Sequence, residues 1–106
     1  MREYIKFLKL KRPVQLAVVN RPHKSADAEY EPEYRDSGKL DYHKITIYNN
    51  PESRDFNTLV AHELIHAWQE ENKKWETHGK YFVRLAQQME YRFGLQDVYL
   101  PAIDEE

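Results

Sequence analysis

The residues of this chain whose types and spacing carry chemistry are His62-Glu63-Leu64-Ile65-His66, two histidines four positions apart with a glutamate beside the first. On an α-helix, positions i and i+4 lie one above the other, so the two imidazoles converge on a common point. Neutral imidazole nitrogens bind Zn²⁺ at about 2.0 to 2.1 Å, and a catalytic zinc takes three protein ligands and keeps one position for water. The pentad supplies two of those ligands, and Glu63 stands where a base for that water is needed.

The pentad sits in an apolar run from Phe56 through Trp68. Such a run predicts a largely buried helix, in which an unpaired His or Glu is costly, and this argues against a merely solvated surface helix. The third ligand has to come from elsewhere. A metzincin continuation needs Gly at 69 and His at 72, and the chain has Gln69 and Asn72, which excludes that branch. The next histidine is His78, followed by Gly79, with eleven residues between it and His66. That interval allows the first helix to finish, turn at Asn72-Lys73-Lys74 and return. Thr77 is the expected N-cap, placing His78 in the first turn of a second helix that runs from Gly79 to Phe93 and ends at Gly94 in the C′ position. His78 is the favoured third ligand. A carboxylate such as Glu90 is the alternative that a gluzincin-type arrangement would use, and a lone His78 outside a metal site would be an exposed residue in a polar turn.

The stretch His62-Glu63-Leu64-Ile65-His66-Ala67-Trp68, followed by His78-Gly79-Lys80-Tyr81-Phe82, resembles the signature of SprT-like zinc metallopeptidases, the family that includes the Spartan proteases of DNA-protein crosslink repair. The likeness is sharp over residues 59 to 82 and only topological before them. It implies a zincin-like fold, Zn²⁺ held by His62, His66 and His78, Glu63 as the catalytic residue, and hydrolysis of peptide bonds, with DNA-associated proteins among the substrates. Many members append a cysteine-rich zinc ribbon or separate DNA- and partner-binding segments; this chain has no cysteine.

The elements that must position these residues are few. A length of 106 residues suits one domain over 1-106, with a modest core. Sixteen basic against 18 acidic side chains give a net charge of -2, which exerts no general pull on nucleic acid. The absence of cysteine excludes a disulfide framework and thiol chemistry. Met1 to Lys6 lacks a signal-peptide apolar region, and no stretch approaches the roughly 18 apolar residues of a membrane span, so the expected location is the cytoplasm of a cell or of a virus-infected host.

Residues 2 to 11 suit a helix with Tyr4, Ile5 and Leu8 inward, stopped ahead of Pro13. Its Lys6, Lys9, Lys11 and Arg12 form a small basic cluster, so any DNA association is expected to be weak and salt-sensitive. Val14 to Val19 reads as a strand closed by Asn20-Arg21-Pro22, with His23 exposed in the turn. Ala28 to Glu31 suits a second strand before Pro32, with a turn at Asp36 to Lys39. Tyr42 to Tyr48 alternates as a half-buried strand, with His43, Ile45 and Ile47 on one face and Lys44, Thr46 and Tyr48 on the other. Asn49-Asn50-Pro51 ends it, and Asp55 or Asn57 caps the pentad helix. Phe82, Leu85, Ala86, Met89 and Phe93 form the apolar face of the second helix. The tail from Leu95 to Ile103 is expected to pack back as an extended segment, with residues 104 to 106 frayed.

This order gives an α+β domain, a small three-stranded sheet packed against the pentad helix and a second ligand-bearing helix. In zincin-like folds, which the resemblance implies, the strand before the active helix lies at the cleft edge and pairs with extended substrate, so an edge strand with a polypeptide along it is expected at residues 43 to 48. Three functions compete: a zinc endopeptidase, a catalytically silent zinc domain that binds peptide or a partner, and a nucleic-acid-associated accessory protein. Glu63 separates the first two, since a closed structural zinc site has no use for a carboxylate beside it. Tyr81, Arg84, Tyr91 and His43 all carry donors suited to a tetrahedral oxyanion, and spacing does not choose among them.

Overall fold

A computed structural model describes residues 1–20, 26–49 and 55–99. The elements follow the order α1 (Arg2–Leu8), β1 (Val14–Val19), β2 (Ala28–Tyr34), β3 (Leu40–Tyr48), α2 (Phe56–Asn72) and α3 (Lys80–Phe93). They form a small α+β domain with a three-stranded mixed sheet and three helices.

The alternation in β3 is realised as read: His43, Ile45 and Ile47 are buried, and Lys44, Thr46 and Tyr48 are half-buried on the other face. Its place in the sheet is a correction. The strand order is β1-β3-β2, with β1 parallel and β2 antiparallel to β3. Residues 43 to 48 therefore have neighbours on both sides and offer no edge to an incoming chain: the His43 N–H donates to the Pro13 carbonyl and the Tyr48 N–H to the Asp27 carbonyl. The physical reason lies in β2, which carries a proline and so is confined to an edge, leaving the centre to the β-branched β3.

Strand β2 also runs through Pro32 to Tyr34 rather than stopping before it. Pro32 pairs with His43, whose own N–H points away toward β1, so this register position asks no donor of residue 32. Between β2 and β3 the chain reverses at Arg35 to Lys39, where Gly38 takes φ 88° and its N–H donates to the Arg35 carbonyl at 2.8 Å.

Helix α2 starts at the expected cap: the Asp55 carboxylate accepts from the Asn57 N–H at 3.0 Å. Every residue from Thr58 to Ala67 is buried, because the sheet covers one side and α1 and α3 cover others. Leu59, Val60, Leu64 and Ile65 meet Ile45 and Ile47 in one core cluster with Phe82, Ala86 and Met89. The helix ends with Lys73 in the left-handed region. Helix α3 starts one residue later than expected, with Gly79 rather than Thr77 as N-cap, because the Gly79 N–H turns back to the Glu76 carbonyl at 2.9 Å. His78 consequently precedes the helix. Gly94 ends α3 at φ 68°, as its position required.

Helix α1 closes at Lys9, two residues short of the expected limit, with Tyr4 and Leu8 buried and Ile5 half-buried. The chain beyond it is tied to α2 through a single carboxylate. Glu71 accepts the Lys11 N–H at 2.9 Å, the Arg12 N–H at 3.0 Å and the His43 Nε2–H at 2.7 Å. The tail from Leu95 packs back with Val98 fully buried. His23, Asn50-Pro51 and residues 100 to 106 lie outside the described residues. Among the described residues no helix is long and apolar enough to cross a membrane.

Burial raises the Glu71 pKa, but the His43, Lys11 and Arg12 hydrogen bonds outweigh it and hold the carboxyl below its usual 4.5. A folded-state pKa below the unfolded one gives stability that is full above about 4.5 and lost as pH falls through the folded value. Glu71→Ala is expected to lower the unfolding free energy at pH 7 by about 1–3 kcal/mol. Urea titrations of both proteins at pH 7 and below pH 4 check this, with the difference between them shrinking in acid.

Candidate metal centre

Helix α2 presents His62 and His66 one turn apart on one face, and the turn before α3 brings His78 against them. One ligand atom from each lies within 4.8 Å of the others. The rings form a nearly equilateral group, with centroids 5.0, 5.2 and 5.1 Å apart. All three rest on Phe82, whose ring is 4.7 to 4.9 Å from each. The side chain that begins the apolar face of α3 thus also forms the floor of the site.

Each helix histidine is oriented through its far nitrogen. The His62 Nδ1–H donates to the Val98 carbonyl at 2.6 Å. The His66 Nδ1–H donates to Gln69 Oε1 at 2.9 Å, and the Gln69 amide is itself fixed by Nε2 donating to the Glu76 carbonyl at 3.0 Å. With Nδ1 protonated, the neutral ring keeps its lone pair on Nε2, the tautomer a metal requires. His62 and His66 are buried and His78 half-buried.

Two observations test whether these residues fit a metal ion. His66 Nε2 is buried and has no hydrogen-bond partner among the described residues, an expensive state for a nitrogen lone pair. The Nε2 atoms of His62 and His78 are 3.3 Å apart. Two imidazole nitrogens sharing a tetrahedral ion at about 2.0–2.1 Å stand roughly 3.3–3.4 Å apart, so that separation is already the required one. Burial, reinforced by the neighbouring His78 and opposed by the Gln69 hydrogen bond, lowers the His66 pKa to about 4. At neutral pH His66 is therefore the neutral ligand form.

Glu63 is fully buried on α2 beside His62. Glu90 is placed otherwise than as a ligand: its carboxylate accepts the Val98 N–H at 2.9 Å and so secures the segment whose carbonyl orients His62. Of the four oxyanion candidates, His43 is committed elsewhere, since Nδ1 accepts from the Tyr30 hydroxyl at 2.8 Å and Nε2 donates to Glu71. Tyr81 packs on Trp68 under Lys74, and Arg84 and Tyr91 project into solvent.

The residues closest to the triad that sequence reading missed are Gln69, Val98, Tyr30 and Tyr99. The Tyr30 ring stacks on His66 at 6.4 Å, and Tyr99 lies edge-on to His78 at 6.5 Å. Burial raises the Tyr30 pKa, so its hydroxyl remains a donor to His43. Gln69 carried a local signal, being three residues from His66 on one helix face. The others arrive through long-range contacts with no sequence signature.

Fold and site together define a small α+β domain with a three-histidine candidate metal centre formed by His62 and His66 of α2 and by His78 in the turn before α3. No protein-family model, curated protein or solved structure matches the chain.

One equivalent of divalent metal per chain is the expected stoichiometry, with His78→Ala abolishing tight binding. Gln69→Ala should weaken it by about 10- to 100-fold, since the variant frees the His66 ring without removing a ligand. Competition against a chromogenic chelator measures both, with circular dichroism confirming the fold.

Proposed function

We propose that this protein is a zinc-dependent metalloendopeptidase with a SprT-like, zincin-like domain. The observation that carries the proposal is the His66 Nε2 atom, buried and unpartnered among the described residues, in an HExxH helix whose other histidine stands 3.3 Å from His78. A set of three imidazole donors, with a buried glutamate next in sequence to the first of them, suits Zn²⁺ in a catalytic rather than a closed structural role.

His62, His66 and His78 would hold the ion. Bound there, Zn²⁺ supplies Lewis acidity toward a peptide carbonyl and lowers the pKa of water. Glu63 accepts the proton of the attacking water as oxygen bonds to the carbonyl carbon, then returns it to the amine nitrogen as the C–N bond breaks. Val98 and Gln69 keep the imidazoles aimed, and Phe82 excludes water from behind them. This division of labour leaves Glu63 out of metal affinity and puts it in the rate.

Extended polypeptide is best served by β2. Tyr30 of this strand stacks on His66, and β2 pairs only with β3 among the described residues. Ala28 and Tyr30 alternate with Asp27, whose carbonyl faces β3, so their backbone groups face the outer edge. Strand addition there supplies affinity with little preference for sequence. Proteins bound to DNA belong to the substrate class through the SprT-like resemblance, with DNA itself held weakly by Lys6, Lys9, Lys11 and Arg12.

Glu63→Gln keeps the side-chain shape and removes the base. Zinc content and circular dichroism should be unchanged, while cleavage of casein or of the chain itself falls by at least ~10²-fold, about 3 kcal/mol of barrier. A zinc-replete wild type that cleaves nothing in a broad protein panel would leave a silent zinc domain. A mutant as active as wild type would move the base to another residue.

A further inference from the structure

A second site lies at the C-terminal end of α2, where a groove of about 930 Å³ opens and none of the three histidines lines it. Its floor is apolar, built from Leu8, Leu40, Trp68 and Leu85. Leu8 is buried and the other three are half-buried. Trp75 and Tyr34 border it with 61% and 52% of their surfaces exposed, adding aromatic area at the mouth of the apolar floor.

The rim is cationic. Lys9, Lys11, Arg12, Lys39 and Lys73 all line the groove, and none forms an ion pair among the described residues. Lys9 and Lys73 occupy the left-handed positions that close α1 and α2, at φ 56° and 57°. A glycine would be less strained at either position, and lysine there fixes a cation at the mouth of the groove. The lining also holds the carboxylates of Glu70 and Glu71, which its five cations outnumber. Glu71 accepts from Lys11, Arg12 and His43, and Glu70 accepts from Tyr34 and Trp75.

An apolar floor within a ring of uncommitted cations is complementary to a helical segment with one apolar face and acidic side chains around it. We infer that this groove is a docking site for an acidic amphipathic segment of a partner protein, its aliphatic or aromatic residues on the Leu40 and Trp68 floor and its carboxylates on the surrounding lysines and Arg12. Single-stranded nucleic acid is the poorer match. Its phosphates would find the cations and its bases the Phe7, Tyr34, Trp68 and Trp75 rings, but Leu8, Leu40 and Leu85 form an aliphatic surface that suits apolar side chains and that a base stack leaves unfilled. An apolar and aromatic centre ringed by charge is the composition of an interface, and the charges give the on-rate and its salt dependence.

The test uses a fluorescein-labelled peptide with Leu and Trp at i, i+4 and i+7 spacing and Glu at the remaining positions, read by fluorescence anisotropy against the full chain. Its counterparts are the same peptide with every Glu replaced by Lys and a labelled oligothymidine. The acidic peptide should bind, more weakly as salt is raised. Trp75→Ala and the double variant Lys39→Glu/Lys73→Glu should each weaken binding by at least about tenfold, with circular dichroism and melting temperature unchanged. His78→Ala should bind the peptide as wild type does, which separates this site from the metal centre. The proposal is overturned by three results: no binding of the acidic peptide, equal binding by the groove variants, or binding of oligothymidine in preference to it.

Discussion

Burying imidazoles inside α2 without stranding their N–H groups is the constraint on which the rest of this structure depends. The helix is covered from Thr58 to Ala67, so water cannot satisfy His62 or His66. An unmet polar group of that kind costs about 1–3 kcal/mol. The chain meets the demand from both directions. Gln69, one turn on, takes the His66 Nδ1–H, and the tail after α3 returns to place the Val98 carbonyl on His62. That tail is itself held by Glu90 on the Val98 N–H and by the Thr58 hydroxyl on the Gln96 carbonyl. The segment that covers the core therefore also sets the tautomer of a ligand. Satisfying both Nδ1 atoms turns both Nε2 atoms toward one point, and of the two it is His66 Nε2 that is left without a hydrogen bond among the described residues, where a metal ion could be held. Binding to the folded state alone adds stability by mass action, about 4 kcal/mol at a thousandfold excess over Kd.

A second polar line runs across the sheet. The Tyr30 hydroxyl donates to His43, His43 donates to Glu71, and Glu71 gathers the two N–H groups where the chain leaves α1. It joins an edge strand, the central strand, the long helix and the first connection through consecutive hydrogen bonds. Because Tyr30 also stacks on His66, this line fixes how β2 sits against the three histidines. Buried networks of this kind hold geometry when every member is satisfied. Here it is the edge strand β2 that is held.

How much of this was legible in the sequence follows from the range over which each signal acts. The HExxH pair, the Asp55 cap and the Gly94 stop are local, so the order of elements and the face of each helix could be read directly. His78 was legible through its distance from His66, although the turn that carries it lies before α3 rather than within it. The sheet order was not legible. Nothing near residues 43 to 48 reveals that β1 and β2 flank them; the clue was Pro32, taken as the end of a strand when it marks an edge. Glu90 had the chemistry of a ligand but serves the Val98 N–H, a contact set by the return of the tail. Tyr30, Val98 and Tyr99 reach the site through tertiary packing alone, and no spacing rule finds them.

X-ray absorption at the zinc edge of the metal-loaded protein tests the central claim most directly, because it counts the imidazoles on the ion without reference to activity. The account predicts four light ligands at about 2.0–2.1 Å, with the multiple scattering of three imidazole rings. Scattering from two rings or fewer, or an oxygen-rich six-coordinate shell, would contradict it.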